Sequence, residues 1–408
     1  MLDGHPLSKM GRTKAALKIA LYASTFGGIF SALVLLFLGP QVAKISAQLG
    51  TAEYFMVCLF GMTIIAGVSG KSLVKGIIAA CLGLLISCVG ADPMTSYDRF
   101  TFGVHRLYLG LDLAVTLIGL FALVEIIGKA ELKRNELNLH AGKIGNDDGK
   151  ITKDEYKRML RPVLMGSIIG SCVGIVPGTG ASEASWFSYN TAKNLSKHPE
   201  EFGHGSVEGV AAAESANNAV TGGALIPLLT LGVPGDVVTA IMLGALMIQG
   251  MTPGPLLFQE QGTLVYSIFI ALFVSNVFML LLGYYAVRLF AKVVLIPGGI
   301  LMPLVTTLCV VGGYALNNSN FDLAVMAGFG LLGYIMTKAR FPLAPLLLAM
   351  ILSGIIETNF RRALSISNQD FSVFFTRPVC ASFLAISLFI LFNLLWKEWK
   401  KYRAASAA

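Results

Sequence analysis

The sequence predicts an all-α polytopic membrane protein, with about 10–12 transmembrane or re-entrant helices in an inverted repeat, some of them broken by Pro-Gly pairs. Three observations predict it. Of 408 residues, 55% are hydrophobic and 13% charged, with a mean hydropathy of +0.71, a composition suited to lipid. Nine apolar runs approach or reach the roughly 17–25 residues needed to cross a bilayer. Finally, segments near the start of the chain recur about 246 positions later.

The first four runs are Ala15–Gly39, Tyr54–Gly70, Leu73–Ala91 and Leu107–Gly128. A polar linker follows, and after it a stretch from Gly170 to Pro255 unlike the rest. There, apolar segments are interrupted by Pro177-Gly178 and Pro234-Gly235 and by uncharged polar residues. Proline removes a backbone donor and glycine tolerates backbone angles no helix uses. In lipid such breaks survive only inside protein or against a watery cavity, so this stretch is the expected solute site. The later runs are Leu264–Phe290, Val293–Leu316, Phe321–Met336, Phe341–Glu357 and Val379–Trp396; the runs ending at Gly70, Met336 and Glu357 are short enough to be tilted or re-entrant.

Lys and Arg set the orientation. Lys9, Arg12 and Lys14 precede the first run, nine basic residues lie between Lys129 and Pro162, and Lys397, Lys400, Lys401 and Arg403 follow the last run. With a cytoplasmic N-terminus, four crossings return the linker to the cytoplasm, along with Lys71 and Lys75. Counting back five from a cytoplasmic tail also places Arg288, Lys292, Lys338 and Arg340 inside, so the interrupted stretch must cross an odd number of times. Arg361, Arg362 and Arg377 break the scheme by falling outside, where they either pack against protein or meet an anion. The net charge of +8 is spread over short loops, as orientation signals are, which argues against a nucleic-acid partner.

FSALVLLFLG at Phe30–Gly39 resembles VSNVFMLLLG around Ser275–Gly283, an offset of 244; Gly70–Ile86 resembles Asn317–Ile335, an offset of 247; and Gly4–Leu7 can be laid on Gly250 and the PGPLL after it. By the charge scheme the two copies run in opposite directions, the pattern of an inverted transporter repeat with a site near the midplane. The expected organisation is the C-terminal part of a first repeat over 1–128, a cytoplasmic linker over 129–162, a second repeat with the broken-helix site over 163–396, and a cytoplasmic tail over 397–408. The stretch from about Val163 to Ile248 has no counterpart in the first copy, so a shortened chain is expected.

Within the broken stretch, Pro177, Gly178, Thr179, Gly180 and Ser182 are expected to end one half-helix and open the next. Its amides and dipole would favour a substrate carboxylate. The alternative is a kinked helix whose small residues only let neighbours approach. Ser215, Asn217, Asn218 and Thr221 offer neutral oxygens and amide donors for substrate, and Glu214, Asn217 and Asn218 suit a coupling cation, Na+ or H+. Glu214 is either functional at membrane depth or the wet end of an amphipathic helix starting near Ser206. Pro234 and Gly235 complete the second break, with Asp236 capping a helix over Val237–Met247. Asp112 is either an ion-coupling group or a hydrogen-bonded helix start.

Other chemistries are weak here. IGNDDGKITKDE places Asn146, Asp148 and Glu155 at calcium-loop offsets, but Ile144 stands where the first ligand belongs. The six cysteines form no CxxC pair, and the histidines make no HExxH motif. An intramembrane enzyme would have to rest on Ser182 or Ser185 beside Glu183. No catalytic residue, resident metal or cofactor is expected.

GIVPGTGASEASWFSYN, EGVAAAESANNAVTGGALIPLLTLGVPGD and GALMIQGMTPGP, with DPMTSYDRFTFGVHRLYLG and GFGLLGYIMTKARFPLAPLL, resemble the large membrane subunit of tripartite tricarboxylate transporters along essentially the whole chain. The resemblance implies a permease in the bacterial inner membrane, with both termini of this chain cytoplasmic. It also implies a small membrane subunit and a periplasmic solute-binding protein as partners, and carboxylate uptake driven by an ion gradient. Members carry an N-terminal copy of the Pro-Gly stretch that this sequence lacks. A truncated, non-transporting fragment is therefore the alternative expectation.

Overall fold

A computed structural model of the chain describes residues 2–68, 72–130, 149–176, 179–294 and 298–406. It is built from α1 (Gly4–Lys9), α2 (Thr13–Ser46), α3 (Thr51–Val68) and α4 (Leu73–Ser87), then a hairpin of β1 (Gly90–Ala91) with β2 (Asp98–Arg99). Next come α5 (Leu113–Leu117), a π-helical turn over Ile118–Leu123 and α6 (Val124–Ala130). The interrupted stretch gives α7 (Lys153–Ile175), α8 (Ala181–Leu195), α9 (Val207–Leu231) and α10 (Val237–Ile248). The rest is α11 (Leu257–Glu260), α12 (Gly262–Val294), α13 (Gly298–Asn317), α14 (Asn320–Lys338), α15 (Leu343–Ile366), α16 (Val373–Thr376) and α17 (Pro378–Ser406).

Among the described residues, six helices are long and apolar enough to cross a membrane and five shorter ones are predominantly apolar. The protein is thus an all-α, multi-pass membrane protein. The long helices carry exposed apolar side chains such as Phe37, Ile270, Phe278 and Phe389, which water would penalise and lipid accommodates. Several boundaries differ from the sequence expectation: α2 and α15 run on to Ser46 and Ile366, past the runs expected to end at Gly39 and Glu357, and two helix starts are moved by a cap. The run expected from Leu107 starts only at Leu113, because Asp112 caps that helix by accepting the Val115 amide. The linker expected to reach 162 ends at Thr152, where a capping box with Glu155 starts α7. Glu155 is occupied by the Thr152 amide and by Arg12 at 2.6 Å, so its carboxylate is spent on helix capping and an ion pair. The other calcium-loop positions, Ile144, Asn146 and Asp148, and also Lys71, lie outside the described residues.

The chain divides into two compact units, each drawn from separate parts of the sequence. The first holds Met1–Ala47, Leu139–Gly235 and Gly250–Ile296; the second holds Gln48–Asn138, Asp236–Gln249 and Pro297–Ala408. The sequence halves 1–128 and 163–396 are therefore interleaved.

In the first unit α9 is the hub, packed by α2, α7 and α8. Its seam with α7 is a Gly-xxx-Gly-xxx-Gly ladder. A methyl at Gly166 would collide with the Ser215 hydroxyl and the Ala212 carbonyl, at Gly170 with the Ala216 carbonyl, and at Gly174 with the Val220 carbonyl. On the other side Gly27 abuts the Ser215 carbonyl, and Ser31 presses on Gly222 and accepts its amide. Without a hydrophobic drive between helices in lipid, such backbone contact supplies the dispersion energy that holds them together. α2 also runs antiparallel to α12: Leu21 meets Gly283, Gly28 meets Asn276, and Gly39 meets Phe269. These are the two helices the repeat equates, and they run in opposite directions.

The second unit shows the same exchange. α4 packs on α15, with Gly83 against the Leu346 carbonyl, while α14 packs on the α5–α6 helix, with Gly119 against the Met326 carbonyl and Gly330 against Leu123. Gly83 and Gly330 stand 247 positions apart, and each copy's glycine helix packs on the following helix of the other copy. At one end Phe360 stacks on Phe374 with Phe55 tilted against both, the ring centroids within 5.7 Å of one another, beside the Arg377–Glu53 pair at 3.1 Å.

Two of the three arginines that broke the charge scheme, Arg361 and Arg377, meet protein carboxylates, while Arg362 is exposed. Arg361 donates to Asp92 at 2.7 Å and to Glu357 at 3.1 Å, and Arg99 pairs with the same two carboxylates. Burial pushes the Asp92 carboxyl up, but the Met94 and Thr95 amides and the two guanidiniums hold it well below the usual carboxylate range. A carboxyl lowered on folding stabilises above its unfolded pKa of about 3.9, and that contribution is lost as pH falls through the folded value. Asp92→Asn is therefore expected to lower the thermal midpoint in detergent by a constant amount from pH 8 to 5. Below about pH 4 the gap to wild type narrows. A gap that widens on acidification would contradict this network.

Candidate functional site

The break after α7 is closed locally. The Thr179 hydroxyl turns back on the carbonyls of Val173 and Val176, at 2.5 and 2.7 Å, satisfying the end of α7. The Glu183 carboxylate accepts the Gly180 amide at 3.1 Å at the start of α8. Pro177 and Gly178 lie outside the described residues. Ser182, one residue into α8, is exposed.

α9 begins at Ser206, whose hydroxyl accepts the Gly209 amide, and is buried along most of its length. It ends at Gly232, whose φ of 69° lets its amide return to the Leu228 carbonyl. Gly235 then approaches Ala224 and the Gly174 carbonyl so closely that a methyl there would stand 3.1 Å from each. Pro234 and Gly235 are buried, so the second break packs the end of α9. Asp236 accepts the Thr239 amide at 2.9 Å and caps α10, as its position before Val237 predicts.

One face of α9 departs from this burial. Glu214, Asn217, Asn218 and Thr221 fall at i, i+3, i+4 and i+7, and so form one stripe. Asn217 and Thr221 are exposed, Glu214 and Asn218 half-buried, with buried helix on both sides of them along the chain. The Ser24 hydroxyl of α2 donates to the Glu214 carboxylate at 3.3 Å. Asn218 gives its amide to the Glu214 backbone carbonyl at 3.3 Å, leaving its side-chain oxygen as an acceptor. α8 runs antiparallel to this stripe: the Ser185 hydroxyl donates to the Ala213 carbonyl at 3.2 Å and Ser188 to that of Ala212 at 2.7 Å. One turn back along α8, Ser182 stands level with Asn217, one turn on along α9.

The sequence-predicted residues thus separate. The stripe gathers Glu214, Asn217, Asn218 and Thr221, with Ser182 beside it. Ser215 points the other way: it is fully buried against α7 and donates to the Ala212 carbonyl. Thr179, Gly180, Pro234 and Gly235 shape helix ends. Ser185 and Glu183 spend their polar groups on the carbonyls of Ala181 and Ala213 and on the Gly180 amide, so they do not pair as nucleophile and base.

Sequence reasoning missed the cavity next to the stripe. It has a volume of about 500 Å³ and is walled by Trp186 and Tyr189 of α8, Val210 and Ala213 of α9, and Ala16 and Ala20 of α2, with Glu214 at its edge. Ser24, which ties α2 to Glu214, was missed as well; the SxxGG-type run of small residues around Gly27 was the available signal. Among the described residues no three His, Cys, Asp or Glu side chains converge as metal ligands.

Comparison with known proteins decides the kind of molecule. A model of the tripartite tricarboxylate transporter TctA family matches residues 1–348. The chain belongs to that family. It is 36% identical over 387 residues to an uncharacterized 52.8 kDa protein in the TAR-I ttuC' 3' region of Agrobacterium vitis, covering 95% of this chain and 76% of the relative. It is 42% identical over 219 residues to an uncharacterized protein in the TAR-II ttuC' 3' region of the same organism, covering 54% of this chain and 90% of that one. No solved structure matches it. As a member of the TctA family the chain is a membrane protein of transport, of the permease type, and the polar stripe in α9 stands in a setting where apolar helix is the default.

Proposed function

We propose that this permease takes up carboxylates, tricarboxylates foremost, delivered by a periplasmic solute-binding protein and driven by a gradient of Na+ or H+, in concert with a small membrane subunit in the bacterial inner membrane. The accessible stripe of Glu214, Asn217, Asn218 and Thr221 in the middle of a buried helix carries the reading. A carboxylate and two amides at that depth are expensive unless a polar solute or ion meets them. Asn217 and Ser182 present donors to a substrate carboxylate, and the α8 dipole adds its positive end, while Thr221 gives its proton to the Asn218 carbonyl at 2.8 Å and offers only its oxygen. Glu214 and the Asn218 oxygen supply the hard oxygen ligands a small cation prefers. Ser24 holds the Glu214 carboxylate in place.

The test is reconstitution of the permease with its partner subunits in proteoliposomes, with labelled di- and tricarboxylates delivered by the binding protein and Na+ and pH gradients imposed separately. Uptake that requires one of the gradients is expected. Absence of uptake for every carboxylate the binding protein carries would refute the proposal.

A further inference from the structure

At the end of α7 where the chain enters the fold, a second cavity of about 310 Å³ opens between α7 and the end of α8. Its rim is cationic: Lys157, Arg158, Arg161 and Lys197 line it with His198, against one lining carboxylate, Glu208. Arg158 is already spent, donating to Glu208 at 2.9 Å and to Glu201 at 2.5 Å, and so cancels that carboxylate. His198 lies 3.6 Å from the exposed Glu200. Lys157, Arg161 and Lys197 are exposed and make no ion pair or hydrogen bond among the described residues. The cavity floor is apolar, formed by Pro162, Met165, Ala192 and Leu195.

What continues from the rim decides the kind of ligand. α7 is one of the membrane-length helices, and Leu160, Leu164 and Ile168 project from it 71%, 47% and 48% exposed, at i, i+4 and i+8. This apolar stripe begins beside Arg161 and runs along the helix toward the membrane interior. A free inorganic anion would use the cations and leave the stripe idle. A diacyl lipid with an anionic headgroup uses both, with phosphate at the three unpaired cations and acyl chains along the leucines.

We propose that this cavity is a binding site for an anionic phospholipid headgroup, holding the start of α7 and the end of α8 at the membrane surface. The experiment is native mass spectrometry of the purified chain titrated with phosphatidylglycerol or phosphatidylcholine, with inorganic phosphate as a third probe. Retention of phosphatidylglycerol well above phosphatidylcholine is expected, unaffected by millimolar phosphate and weakened by salt. The triple variant K157Q/R161Q/K197Q should bind phosphatidylglycerol on the order of a hundredfold more weakly, since each cation near an anionic surface contributes a comparable share. The charge-preserving variant K157R/K197R should retain binding, which separates lost charge from lost fold. Equal retention of both lipids, unchanged binding by the triple variant, or displacement by phosphate alone would overturn the proposal.

Discussion

Leucine at Gly170 is expected to prevent recovery of folded protein, and alanine there to lower stability by about 1–3 kcal/mol, the range for overpacking a closed interface. The reason is geometric. α7 and α9 touch through backbone at this point, and any β-carbon on residue 170 meets the Ala216 carbonyl, which belongs to the hub helix and has no rotamer with which to yield. α9 cannot retreat, because Gly27 and Ser31 of α2 press on its opposite side at Ser215 and Gly222. The control is Gly354→Ala on α15, where an added methyl meets nothing within 4 Å. Replacing a helical glycine in open space is expected to stabilise by about 0.5–1 kcal/mol. Thermal unfolding in detergent, followed by fluorescence size-exclusion, measures both. If alanine at 170 behaved like alanine at 354, the seam would not be close-packed and α9 would not be the hub of its unit.

Loss of uptake is the second large effect. Asn217→Leu is expected to reduce the kcat/KM of carboxylate uptake about 10- to 100-fold, since a hydrogen bond to a charged partner is worth about 1.5–3 kcal/mol. Glu214→Gln keeps the shape and the Ser24 contact but removes the charge, so its loss should show as a changed dependence on the driving cation more than as a changed carboxylate KM. Ser215→Ala is the discriminating partner. Its hydroxyl is buried against α7 and bonded to its own helix, so the variant should leave the substrate KM unchanged. The proteoliposome assay reads all three. An unaltered Asn217→Leu together with an impaired Ser215→Ala would move the site to the opposite face of α9.

Much of this arrangement was legible in the linear pattern because hydrophobic periodicity and helix punctuation are local. Ser206 and Asp236 announce α9 and α10 by the capping rule, and each accepts the amide three residues on. Asp112 admitted two readings, and its bond to the Val115 amide identifies the helix start. The inverted repeat was legible as matching segments at a near-constant offset. The antiparallel α2–α12 pair and the exchanged contacts of Gly83 and Gly330 give it a physical form.

Sequence by itself therefore determined the class of molecule, most of the helix boundaries and the stretch that carries the polar groups. Which of those groups face one another was decided only in three dimensions. Ser215 and Asn217 are two residues apart and chemically alike, yet one lies in a glycine-lined seam and the other stands on an open face. A helix turns by about 100° per residue, so the side each residue takes depends on where α2 and α7 pack, and those helices, Thr13–Ser46 and Lys153–Ile175, are far from one another in the sequence. The same holds for Arg361 and Arg377, whose carboxylate partners Asp92 and Glu53 lie hundreds of residues away in the chain. Pro-Gly breaks show where a helix ends; what fills the space beside the break depends on neighbours that only the folded chain brings there.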